Sequence, residues 1–120
     1  MNALIIDDNT EYLQVLRAAL TKRNINSTVC SDRGHALEYA SDKGIDMVIC
    51  DYFMPQIDGG SLLKEIGEFR KDCTLVLTSS YPIGICGLNE GRIKFVDKKS
   101  LLDFILSNFL RESWAHEVTP

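Results

Sequence analysis

No apolar stretch of this chain approaches the roughly 20 residues that a bilayer-spanning helix needs, so a membrane-embedded role is not expected. The opening Met1-Asn2-Ala3-Leu4-Ile5-Ile6-Asp7 has no basic region and meets an acid too early for a secretory signal. Of the 4 cysteines, Cys30, Cys50, Cys73 and Cys86, none forms a C-x-x-C pair, and His35 and His116 stand apart from them. Zinc spacing is therefore absent. Cysteines in or beside apolar runs act as small hydrophobes, and a reducing, cytoplasmic compartment is expected. Positive charge is also scarce. A net charge of -4 disfavours direct nucleic-acid binding through a basic surface. No G-x-G-x-x-G follows the first apolar run, which excludes the dinucleotide-binding fingerprint. There is no repeat, linker or low-complexity segment.

What remains is a chain of 120 residues, the size of one domain, with 45% hydrophobic residues to build a core. One domain over residues 1–120 is expected, with Arg111–Pro120 as a C-terminal tail that Trp114 can anchor. Short apolar runs alternate with longer segments of helical period. The runs are Ala3–Ile6, Thr28–Cys30, Met47–Cys50, Leu75–Leu77 and Phe95–Val96. They lack in–out alternation, as strands buried on both faces do.

Between the runs, Leu13, Leu16 and Leu20 share one helical face, with Asn9 or Thr10 as N-cap. Asp32 can cap a second helix carrying Ala36, Leu37 and Ala40, ended by Gly44. A third carries Leu62, Leu63, Ile66 and Phe69, and the last carries Leu102, Ile105, Leu106 and Phe109. Leu101 and Phe104 then fall off that last stripe, as a candidate contact surface. The fourth connection, with Pro82, Gly84, Gly87 and Gly91, predicts a short or irregular helix. The alternation implies an α/β fold, a doubly wound parallel sheet of five strands with helices on both faces.

In such a sheet, ligands bind at the C-terminal ends of the strands. The first run ends in Asp7-Asp8 and the third in Asp51. Three carboxylates brought together there repel one another unless a cation neutralises them. Mg²⁺, or another divalent cation, suits this all-oxygen set. Asp8, Asp51 and the Phe53 backbone carbonyl are its candidate ligands, with Asp7 acting through water. Thr78 ends the fourth run and Lys98 follows the fifth. A hydroxyl and an ammonium beside carboxylates suit the oxygens of a phosphoryl group.

Each residue also has an ordinary role. Asp7 and Asp8 can cap the first helix, Thr78 can be a plain strand residue, and Lys98 can be solvated. Asp51 is harder to dismiss, because a carboxylate after four apolar residues is costly unless paired.

The ordered set Asp7-Asp8, Asp51-x-x-Met54-Pro55-x-x-Asp58-Gly59, Thr78 and Lys98 resembles the receiver domain of two-component response regulators over nearly the whole chain. The resemblance implies a flavodoxin-like receiver architecture. It makes Asp51 the phosphoacceptor, charged by a phosphohistidine on a histidine kinase or histidine phosphotransfer protein, or by a small phosphodonor. It gives Asp8 a direct bond to Mg²⁺ and Asp7 a supporting one, and it pairs Lys98 with Asp51. Thr78 becomes the switch hydroxyl and Phe95 the switch aromatic. Such a module is no enzyme beyond catalysing its own phosphorylation and dephosphorylation. Its output goes to a downstream protein effector or a self-dimer.

The chain also departs from the family. Lys99 stands where receivers usually carry a proline in cis, and a trans Lys98–Lys99 bond is expected. Phe53 stands at the border of the hydrolytic water's path, which implies a long-lived phosphate. Lys99 and the irregular fourth connection leave a receiver-like binding module that works without phosphate as the alternative. A haloacid-dehalogenase-like phosphohydrolase is disfavoured, because Asn9 and Phe53 stand where its second acid belongs.

Overall fold

The computed structural model describes residues 1–80 and 91–118, of which 110–118 are described by backbone alone. A central sheet holds β1 (Asn2–Ile6), β2 (Asn26–Cys30), β3 (Met47–Asp51), β6 (Thr74–Ser79) and β7 (Ile93–Asp97) in the order β2-β1-β3-β6-β7. Every neighbouring pair is parallel. The helices are α1 (Thr10–Thr21), α2 (Arg33–Ala40), α3 (Gly59–Phe69) and α4 (Leu101–Val118). This is the doubly wound α/β arrangement the alternation predicts, with β1 and β3 flanking the point where strand order reverses.

Alternate residues of each strand feed two cores. Leu4, Ile6, Val48, Leu75 and Leu77 pack against Ala36 and Ala40 of α2 and Leu62, Leu63 and Ile66 of α3. Ala3, Ile5, Ile49, Val76 and Val96 pack against Leu13, Leu16 and Leu20 of α1 and Leu101, Ile105 and Phe109 of α4. Apolar residues are thus needed on both faces, and the runs show no alternation. Free Cys30, Cys50 and Cys73 belong to this packing. Burial pushes the Cys30 thiol up to about 11, and Cys50 is raised for the same reason.

Asn9 and Asp32 cap their helices as expected, accepting from the backbone N–H groups of Tyr12 and His35. Other expectations shift. Helix α2 ends at Ala40, and Gly44 instead sits in the following turn, donating its N–H to Asp42. Leu101 is fully buried, not peripheral, whereas Leu102 and Leu106 are half-buried. A 3-10 turn over Lys98–Ser100 sets the phase of α4, so Leu101, Ile105 and Phe109 point inward at four-residue intervals. Phe69 is 46% exposed, because the four-residue spacing from Leu62 and Ile66 brings Arg70 inward in its place. Helix α4 runs to Val118, through the expected tail; no Gly or Pro after Leu101 stops it sooner. Pro82, Gly84, Gly87 and the expected irregular helix lie outside the described residues, as do Cys86 and the Trp114 side chain. Among the described residues, no helix is long and apolar enough to cross a membrane.

After β3 the chain makes a small hairpin not read from the sequence, β4 (Phe53–Met54) with β5 (Ile57–Asp58). Pro55 and Gln56 form its turn, and Gln56 takes a φ of 68°. Proline followed by a positive-φ residue is the pattern of a type II turn. The hairpin returns Asp58 to cap α3 through the N–H groups of Gly60 and Ser61. Gly59 is required by close approach: a Cβ there would stand 2.2 Å from the Asp51 carbonyl oxygen. The Met54-Pro55-x-x-Asp58-Gly59 spacing is therefore the local geometry that folds the chain back beneath Asp51.

Candidate functional site

Parallel register brings the acids together at one edge of the sheet. Ile6, the last residue of β1, pairs with Cys50, so Asp7 follows β1 beside the place where Asp51 ends β3. Asp7 is buried, donating its N–H to the Cys30 carbonyl at 3.1 Å. Its Oδ1 accepts the Asn9 N–H at 2.9 Å, which fixes the start of α1. Asp8 is exposed. One carboxylate oxygen from each of Asp7, Asp8 and Asp51 lies within 4.8 Å of the others.

Lys98, the first residue after β7, crosses into this cluster. Its Nζ is 2.7 Å from Asp7 Oδ2 and 3.6 Å from Asp51 Oδ2. The resemblance pairs this lysine with Asp51; the shorter contact is to Asp7, the more deeply buried acid. The Lys98–Lys99 bond is trans, as expected, since no cis peptide occurs among the described residues. Asp97 caps the turn, accepting the Lys99 N–H at 3.1 Å.

Asp51 carries the electrostatic strain. Burial raises its carboxyl above the ordinary value, and Asp7 adds to the rise. Lys98 and a hydrogen bond from the Phe53 N–H pull the other way. Among the described residues, one lysine against three acids leaves the pocket in need of positive charge.

Thr78 lies directly opposite Asp51 in the β3–β6 register. It is 2% exposed, and its Oγ1 has no hydrogen-bond partner among the described residues. A buried hydroxyl left unpaired costs about 1–3 kcal/mol, and it marks a place where an acceptor is missing. The hard oxygen donors, the acid excess and this orphaned hydroxyl fit a divalent cation with a phosphoryl group. Phe95 is half-buried with Leu77 and Ile93 on the α2–α3 face. Phe53 stands 48% exposed at the rim, its ring edge-on to Tyr52 at 4.7 Å.

Tyr12 is a member that the sequence does not announce. Its ring centroid lies 4.6 Å from Lys98 Nζ. Burial, then the charges of Asp7 and Asp51, push its phenol up to about 12, so the ring stays neutral. The only signal in the sequence is its position three residues after the capping Asn9.

The profile of the response regulator receiver domain matches residues 3–109. The chain belongs to this family. Receiver domains are signalling modules of two-component systems. Transcriptional regulatory protein ZraR of Klebsiella oxytoca is 28% identical over 120 residues, 97% of this chain. This receiver spans only 27% of that relative's length. The signal receiver domain of an HD domain-containing protein from Pseudomonas fluorescens Pf-5 superposes with a TM-score of 0.77 at 25% identity, covering 99% of this chain and 98% of that one. The receiver domain also superposes on a chain in the complex of the Saccharomyces cerevisiae histidine phosphotransfer protein Ypd1 with the receiver domain of its response regulator Ssk1. That match has a TM-score of 0.75 at 19% identity, over 88% of this chain and 86% of that one.

Proposed function

We propose that Asp51 is the phosphoacceptor of this receiver and that a phosphohistidine on a histidine kinase or phosphotransfer protein is its donor. The carrying observation is the buried Thr78 Oγ1 opposite Asp51, without a partner among the described residues. Its missing acceptor is a phosphoryl oxygen. An Asp51 carboxylate oxygen attacks phosphorus, a P–O bond forms, and the P–N bond to the donor imidazole breaks. The imidazole nitrogen leaves with the electron pair and takes up a proton. Lys98 Nζ, already within 3.6 Å of Asp51, meets the transferred oxygens as their charge develops. Asp8, Asp51 and the Phe53 carbonyl would hold Mg²⁺, with Asp7 supporting it through water. The bound cation supplies positive charge to the same oxygens.

Thr78 Oγ1 then donates to a phosphoryl oxygen, and Phe95 follows inward as the aromatic half of the switch. The altered surface signals to a protein effector or a second copy, in the cytoplasm. The chain turns over no external substrate. The yeast phosphotransfer complex supports the donor class by fold alone.

The test is incubation with Mg²⁺ and acetyl phosphate, followed by intact mass. A gain of one phosphoryl group, lost in Asp51→Asn, is expected. No gain, together with no response to fluoroberyllate, would leave the phosphate-independent binding module, the reading that Lys99 in place of the family's proline favours.

A further inference from the structure

Lys98 is a long, flexible side chain delivering a point charge, and its usefulness depends on where Nζ rests. Two groups besides Asp51 hold it. Asp7 Oδ2 takes the ammonium at 2.7 Å, and the Tyr12 ring lies 4.6 Å from it. Both distances fall within the range of direct attraction. The two holders are themselves tied together. Asp7 Oδ1 accepts the Asn9 N–H at 2.9 Å, and Asn9 Oδ1 accepts the Tyr12 N–H at 3.0 Å. A closed circuit results, running from Asp7 through Asn9 and Tyr12 to the Lys98 ammonium and back to Asp7. The first turn of α1 thereby sets the ring against the end of β7.

From this circuit we propose that Tyr12 is a positioning residue for phosphorylation: its ring face holds the Lys98 ammonium at the Asp7–Asp51 pair. The inference rests on Asp51 being the phosphoacceptor. Tyr12 touches no reacting atom in this role and acts through Lys98. The working part is the ring, not the hydroxyl. Leucine, apolar but without a quadrupole, should fail where phenylalanine succeeds.

The test compares the full chain carrying Tyr12→Leu or Tyr12→Phe, each with Lys98 intact or as Lys98→Met. Acetyl phosphate with Mg²⁺ is the donor, and Mg²⁺ affinity is titrated separately. Tyr12→Leu is expected to slow phosphorylation about 3- to 10-fold, the scale of one partly desolvated cation–π contact. Mg²⁺ affinity should change less than about 2-fold, and Tyr12→Phe should recover most of the lost rate. With Lys98→Met, leucine and tyrosine at position 12 should give equal rates, because nothing remains to be positioned.

Equal damage from phenylalanine and leucine would overturn the proposal, as would a leucine defect that persists without Lys98. A second readout needs no phosphorylation. The ε-methylene protons of Lys98 should show an upfield ring-current shift in the unmodified protein and in Tyr12→Phe, but not in Tyr12→Leu. Absence of that shift in the unmodified protein overturns the ring contact even if Asp51 accepts phosphate. Its presence in a protein that takes no phosphoryl group would overturn the role in phosphorylation.

Discussion

The two ends of the same parallel sheet bury charge in opposite ways. At the N-terminal edge, Arg70 is 4% exposed and every arm of its guanidinium is occupied. Nη1 donates to the carbonyls of Ala40 and Asp42, at 2.9 and 2.8 Å. Nη2 donates to the Ile45 carbonyl at 2.6 Å, and Nε to Asp72 at 3.2 Å. That cation closes the ends of α2 and α3 over the start of β3, and it leaves nothing for a ligand to satisfy. At the C-terminal edge, Asp7 and Asp51 share Lys98 with Asp8 beside them, and Thr78 Oγ1 has no partner among the described residues. A complete network fixes structure, whereas an incomplete one holds free energy that a ligand can release.

The contrast can be broken by mutation, and the largest effect should come from the complete edge. Arg70→Met is expected to lower stability by about 3 kcal/mol, because three backbone carbonyls lose their buried donor together. Urea unfolding measures it. A loss under about 1 kcal/mol would mean that water reaches those carbonyls and that the edge is not closed.

Asp51→Asn should act in the opposite direction in the presence of a chelator. The Asp51 carboxyl is raised by burial and by Asp7, so the folded chain holds this proton more tightly than the unfolded one. Its stabilising contribution is therefore present at low pH and lost as pH rises from the ordinary carboxylate value through the folded value. At neutral pH the ionised group destabilises the fold, and asparagine should raise stability by up to about 1 kcal/mol after solvent screening. Destabilisation by Asp51→Asn in chelator would show that Lys98 already neutralises the site.

How much of this was visible beforehand differs between the same two edges. Asp51, Asp7, Thr78 and Lys98 are legible because each is a polar residue at the end of an apolar run, and parallel strands must bring such ends together. Arg70 is not, because a lone arginine after Phe69 reads as the solvated end of a helix. Only the four-residue spacing from Ile66 turns it inward. Leu101 was missed for a related reason: periodicity gives the width of an apolar stripe, but the 3-10 turn before α4 sets its phase. Tyr12 was missed because its contact crosses from α1 to the end of β7.

A smaller effect concerns how firmly the incomplete edge keeps water out. The Phe53 N–H donates to Asp51 while its ring sits at the rim against Tyr52. A carboxamide there could orient an attacking water, which a phenyl ring cannot. Phe53→Asn is expected to shorten the lifetime of phosphorylated Asp51 about 3-fold, equivalent to about 0.7 kcal/mol of barrier. Decay of the isolated phosphoprotein in Mg²⁺ buffer measures it. An unchanged or longer lifetime would show that the ring does not stand between water and phosphorus.

The smallest effect should come from a pair outside both edges' interiors. His35 Nδ1 lies 2.5 Å from Asp32 Oδ1, with both side chains more than half exposed. The hydrogen bond and charge of Asp32 raise His35 above its ordinary value, with a small push from Glu38, and the same bond lowers Asp32. The histidine contribution is full below about pH 6.5 and fades as pH rises through the raised value. The aspartate contribution is present above about pH 3.8 and fades as pH falls through the lowered value. The pair therefore stabilises most between those two limits.

His35→Gln should lower the urea midpoint slightly at about pH 5.5 and less at about pH 8.5. Two contacts do not depend on the imidazole charge. Asp32 still accepts the backbone N–H of residue 35, and the ring stacking on Tyr39 is absent from the variant at either pH. The difference between the two pH values thus isolates the ion pair. If that difference matched the loss from Arg70→Met, burial would not be what separates the strong charge sites of this fold from the weak ones.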